Sequence, residues 1–149
     1  MKRWPTVLDI NGNGKLDEGF LSPKEATDPA KDKSFSWGQA YTSVWSPVDG
    51  SVWTSYSVIP GGMARLDPKT GLYEYYEVPY MDSRVKTEGY LPHGVDVDRN
   101  TGVVWMALNS GHYAEFDRRK CKAKLNGPEA TGRHCPEGWT LHVMPGPNF

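Results

Sequence analysis

A tandem duplication limits most strongly what this chain can fold into. The segment AYTSVWSPVDGSVW (40–53) aligns with PHGVDVDRNTGVVW (92–105) at a constant offset of 52, placing Gly50 on Gly102, Val52 on Val104 and Trp53 on Trp105. At an offset of 50, GMARLD (62–67) falls on HYAEFD (112–117); at 66, YEYYEVP (73–79) falls on WTLHVMP (139–145). Each copy reads as four short β-prone runs bounded by Gly, Pro, Asn and Asp, and no stretch carries a useful length of helical periodicity. Four antiparallel strands in about 40 residues is the size of a propeller blade. A lone meander leaves both faces and both edges uncovered, so the two copies must lie against one another. The expected fold is therefore all-β: about two four-stranded antiparallel meanders of the blade type plus part of another, after an irregular N-terminal segment with a calcium-type loop. Trp53 and Trp105 are expected in like settings, filling the space between adjacent sheets. The competing arrangement is a small sandwich with a sugar-binding aromatic face, which needs Tyr73, Tyr75 and Trp139 coplanar and exposed.

Composition divides the chain into a polar segment (1–36), a first unit (37–80), a connector (81–91) and a second unit (92–149). Between Asp117 and Gly138 the second unit carries some sixteen residues more than the first, in which PKTG makes a tight turn. Cys121 and Cys135 stand near the two ends of this insertion (118–137). A bridge between them would close the long loop, stabilise by about 3 kcal/mol and imply an oxidising compartment, extracellular or periplasmic. Two free thiols are the alternative; His134 beside Cys135 gives no recognised zinc spacing.

Charge and composition exclude several classes. Lys and Arg number 17 against 18 Asp and Glu, a net −1, so the basic field of a nucleic-acid or anionic-membrane protein is missing. No apolar run approaches the ~18 residues of a membrane span. Six Trp and eight Tyr argue against disorder despite 16 Gly and 12 Pro. The start MKRWPTVLDINGNG is basic, like a signal peptide, but lacks the apolar stretch.

One motif points to a metal. Asp9, Asn11, Asn13, Lys15 and Asp17 occupy positions 1, 3, 5, 7 and 9 of an EF-hand-type loop, with Gly14 at position 6. Alternate oxygen side chains then face one centre, position 7 offers its carbonyl, and Gly permits the sharp turn. Position 12, which should bring a bidentate Glu, is Phe20, and Glu18 sits two places early. The remaining oxygen must come from elsewhere or from water. The expected ligand is a structural Ca2+; the plain alternative is an Asn-Gly turn between two strands.

The histidines are less specific. His93 opens the inner strand of its unit, where propeller ligand sites lie, and its repeat equivalent is Tyr41. Asp96 and Asp98 alternate with Val95 and Val97 along the same strand, so Tyr41, His93, Asp96 and Asp98 are the candidate ligand-binding set; a solvated face is the plain reading of the two aspartates. His93 and His112 are the candidate catalytic bases, each needing a partner at hydrogen-bonding distance. No G-x-S-x-G, HExxH or phosphate loop is present in the sequence.

The runs PHGVDVD, GVVW, ARLDPKTG and YYEVP resemble the blade repeats of streptogramin lyase (virginiamycin B lyase)-like and NHL-type propellers, over about residues 38–149. With TVLDINGNGKLDE at the start, the chain looks like secreted bacterial members of that superfamily. The resemblance implies a six- or seven-bladed parent and, for the lyase, elimination that opens a cyclic ester with Mg2+ and a His base. Blades of that family read W-F-T-E where this chain has Trp53-Thr54-Ser55-Tyr56 and Trp105-Met106-Ala107-Leu108, so the metal-holding Glu is absent from both units. The first functional expectation is thus an extracellular, calcium-stabilised module binding a small molecule, glycan or protein. Its open faces would be covered by further blades of a longer protein or by self-association. The second is a metal-dependent lyase or hydrolase built on His93.

Overall fold

The computed structural model describes residues 6–35 and 38–146; the 36/37 boundary between the polar segment and the first unit lies outside them. Its strands are β1 (Thr6–Leu8), β2 (Lys33–Phe35), β3 (Ala40–Trp45), β4 (Val52–Tyr56), β5 (Gly62–Leu66), β6 (Tyr73–Glu77), β7 (Pro92–Val97), β8 (Val104–Leu108), β9 (His112–Phe116) and β10 (Trp139–Val143). They form two sheets, ordered β2-β1-β6-β5-β4-β3 and β10-β9-β8-β7.

The duplication is visible strand by strand. Trp53 stands opposite Val44 and Arg65, and Trp105 opposite the equivalent Asp96 and Glu115. The first pair of strands in each unit is interrupted at the same place, between Ala40 and Ser43 and between Pro92 and Val95. Three turns close alike. The N–H of Ser46, Asp67 and Asp98 meets the carbonyl of Ser51, Leu72 and Val103, and the N–H of Gly50, Gly71 and Gly102 meets the carbonyl four residues back. Gly50 (φ 77°) and Gly102 (φ 75°) lie in the left-handed region, which a side chain would strain.

We call the face bearing the duplicated tryptophan the front of each sheet. The front of the first sheet packs on the back of the second. Trp53, Met63 and Tyr76 meet Val95, Val104, Met106 and Phe116 in one buried cluster, with Tyr76 and Phe116 ring centroids 4.6 Å apart. Because the sheets stack on one side only, the two tryptophans have unlike settings despite equal register: Trp53 is 2% exposed and Trp105 38%. The expectation of like burial fails for that reason, since a front face is covered only where a next sheet follows.

The N-terminal segment is not irregular throughout, as expected, but adds two strands. β1 and β2 pair antiparallel, and β1 lies parallel beside β6 through Leu8 and Tyr73. The cause is the edge that β6 would otherwise leave open: the short apolar run TVL covers it and buries Val7 and Leu8. Behind the sheet, Phe35 stacks on Tyr75 at 5.8 Å. Tyr75 and Trp139 are buried, which overturns the sugar-binding sandwich face.

The insertion takes the place of the fourth tight turn. Asp117 N–H meets the Gly138 carbonyl (2.9 Å) as Asp67 N–H meets that of Leu72, and inside this closure Cys121 and Cys135 form a disulfide with Cα atoms 5.0 Å apart. The loop turns back onto the first sheet. Glu77 N–H donates to the Gly132 carbonyl (2.9 Å), and Gly127 N–H to that of Asp9 (2.8 Å). At its start Arg118 donates two 2.6 Å bonds to the buried Glu74 carboxylate, which also receives Arg65 at 3.2 Å and the Tyr76 hydroxyl at 2.5 Å.

His134 sits within this loop, buried, its ring 5.3 Å from Tyr76 and its Nδ1 accepting from Gly132 N–H. Burial pushes its pKa down, against the opposing charges of Glu74 and Glu137. The folded state thus resists a proton that the unfolded chain takes near pH 6.5, so stability is full above that pH and falls below it. Thermal unfolding followed by circular dichroism is expected to lose midpoint between pH 7 and 5, with a slope of at most about 1.4 kcal/mol per pH unit. The His134→Gln variant is expected to be flat over that window; an unchanged slope would refute the assignment.

Candidate functional site

Two places on the molecule gather chemistry. The first is the loop between β1 and β2. Buried Asp9 organises it: its Oδ1 accepts N–H bonds from Gly12 (2.7 Å) and Asn13 (3.1 Å), its Oδ2 one from Gly14 (2.9 Å). Asn11 and Asn13 turn their Oδ1 atoms to the N–H groups of Asn13 (3.0 Å) and Lys15 (2.8 Å). Their amide nitrogens donate to Asp17, at 2.6 Å from Asn11 and 3.0 Å from Asn13, which hold its carboxyl below the usual range. Asp9 is thus tied to the loop backbone, and Asn11 and Asn13 to Asp17, by hydrogen bonds within the loop. Glu18 is exposed and takes no part in this web.

The sequence reading missed Asp32. It precedes β2, is fully buried, and accepts Asp17 N–H through Oδ2 at 2.9 Å. Its Oδ1 is buried without a hydrogen-bond partner. Burial pushes its carboxyl up, with Asp17 N–H opposing and the Asp17 and Asp9 charges adding. Between two lysines in KDK it reads as a solvated charge, and the oxygen lacking in the Asp9 loop names no residue in the sequence that would supply it. A cleft lined by Ile10, Pro23, Phe35 and Pro128 separates this region from the insertion.

The second place is the front of the second sheet. Cross-strand pairing puts Asp96, Trp105, Glu115 and Thr140 in one row and Ala107, Tyr113 and His142 in the next. The rings of Trp105, Tyr113 and His142 lie within 30° of parallel, with Tyr113 and His142 centroids 4.7 Å apart. Trp105 and Tyr113 are each 38% exposed.

Of the predicted ligand-binding set, Tyr41 and His93 come together at 4.7 Å, beside a 2.5 Å bond from the Ser55 hydroxyl to the His93 carbonyl. Asp96 stands apart, exposed, accepting Val97 N–H. Asp98 caps the turn at the far end of β7, accepting from the Thr101 hydroxyl and from the N–H groups of Thr101 and Asn100, bonds that hold its carboxyl low. His112 meets the Ser110 hydroxyl at 3.1 Å, on the strand beyond β8 from His93. Among the described residues no group of three or more His, Cys, Asp or Glu stands as a ready metal-ligand set, and no helix is long and apolar enough to cross a membrane. Comparison with protein-family models, curated proteins and solved structures gives no match to this chain.

Proposed function

We propose that the chain is an extracellular partner-binding β-module of the propeller-blade type, whose partner is a second copy stacking front to back. One observation carries this. Trp53 and Trp105 are repeat equivalents, yet one is sealed under the next sheet and the other lies open. The complementary half is present too. Trp45 on the back of the first sheet is 62% exposed, whereas its equivalent on the back of the second sheet, Val97, is buried between the sheets. Stacking a second copy by the operation that relates the two sheets would cover Trp105 of one molecule with the Trp45 face of the other. Exposed apolar area on both outer faces favours such association, and the Cys121–Cys135 disulfide suits an oxidising compartment.

Sedimentation velocity across a concentration series tests this. The chain is expected to self-associate, and Trp45→Glu and Trp105→Glu are each expected to be monomeric while keeping their fold by circular dichroism. Mixed one to one, the two variants are expected to form a dimer, since each keeps the face the other lacks. A wild-type chain monomeric at every concentration, or a mixture that stays monomeric, would refute the proposal.

A further inference from the structure

We infer that the β1–β2 loop is a Ca2+ site completed by Asp32, a residue twelve places beyond the end of the Phe20 position that should have closed it. The argument begins with charge. Asp32 accepts Asp17 N–H and feels the like charges of Asp17 and Asp9; the three are not gathered into a ready ligand set, and among the described residues none of them is in a salt bridge. A fully buried carboxylate with a bare oxygen is costly unless a cation or donor meets it. Asp32 Oδ1 has neither. Asp32 is not free to leave, because its own carbonyl accepts Leu21 N–H at 2.9 Å and the β1–β2 pairing begins at the next residue.

The donor chemistry selects the ion. Every available ligand is a hard oxygen: three carboxylates, the amide oxygens of Asn11 and Asn13, and the Lys15 carbonyl. Six or more oxygens in a flexible loop suit Ca2+, while Mg2+ demands a tighter octahedron and keeps its waters. The amides of Asn11 and Asn13 now point nitrogen at Asp17 while their Oδ1 atoms accept from Asn13 and Lys15 N–H, so these side chains must re-aim an oxygen lone pair at the ion when it binds. Two neutral amides in place of acids make the site one of modest affinity, Kd about 10⁻⁴ to 10⁻³ M as in extracellular modules.

Calorimetric titration of the full chain with CaCl2, with MgCl2 as the comparison, reads this directly, and thermal unfolding with and without 5 mM (about five to fifty times that Kd) CaCl2 reads it through stability. The expected result is saturable binding of one Ca2+, weaker binding of Mg2+, and a raised midpoint in calcium. Asp32→Asn keeps the shape and removes the charge. It is expected to weaken Ca2+ binding at least tenfold while leaving the calcium-free midpoint equal or higher, because the unpaired buried charge is gone. No binding and no midpoint shift in the wild-type chain would overturn the site. Unchanged Ca2+ affinity in Asp32→Asn, or a calcium-free midpoint that falls as a purely structural Asp32 would require, would overturn the role of Asp32.

Discussion

Trp53→Ala is expected to cost about 3–5 kcal/mol, while Trp105→Ala, the same change at the equivalent position, is expected to cost about 1–2 kcal/mol. Trp53 lies between the sheets, its ring 6.0 Å from Tyr76 and 6.1 Å from Phe116, and its removal leaves a cavity that packed strands on both sides cannot close. Trp105 loses only partial burial and its stack with Tyr113 and His142, worth about 0.5–1.5 kcal/mol beyond the area it covers. Urea unfolding at low protein concentration, where stacking between molecules is absent, checks the pair, with an unchanged m-value as the control. Equal costs at the two positions would mean that burial between the sheets does not decide the energetics.

The second large effect is expected at Glu74. Its carboxylate holds Arg65 on its own sheet and Arg118 from the insertion of the other unit, so it ties the two sheets together through charge. Glu74→Ala leaves the buried Arg65 with Asp49 alone (2.8 Å) and leaves Arg118 unpaired. A loss of about 3–5 kcal/mol is expected from breaking one partner out of a buried ionic group. The triple variant Glu74→Leu, Arg65→Met, Arg118→Met is expected to recover most of it, since an apolar replacement removes the desolvation cost along with the attraction. If the triple variant is no more stable than Glu74→Ala, the loss arises from packing and not from stranded charge.

Much of the fold was legible because the duplication repeats at the level of single turns. Gly50 and Gly102 mark hairpins that only left-handed residues close tightly, and the sixteen-residue excess after Asp117 announced the disulfide loop in its place. Two things were not legible. The strand Thr6–Leu8 is too short to show an alternating pattern, and its pairing with β6 depends on an edge 65 residues away. Asp32 carries no local sign of burial, because its surroundings come from the Asp9 loop folding back over it. The candidate ligand set of Tyr41, His93, Asp96 and Asp98 is brought together only at Tyr41 and His93; the turn geometry commits Asp98 to Thr101 and Asn100, and pleating points Asp96 to the face opposite Val95 and Val97.

The packing of one sheet's front on the next sheet's back carries a geometric consequence. Such a contact is heterologous: the two surfaces differ, and joining them leaves one of each still available. Every added sheet is rotated from its predecessor by the same increment. If the increments sum to a full revolution the series bites its own tail and stops growing; if they do not, it lengthens into a fibre. The angle between these two sheets, across which Trp53 meets Phe116 and Arg118 reaches Glu74, therefore determines whether an assembly of such units is finite.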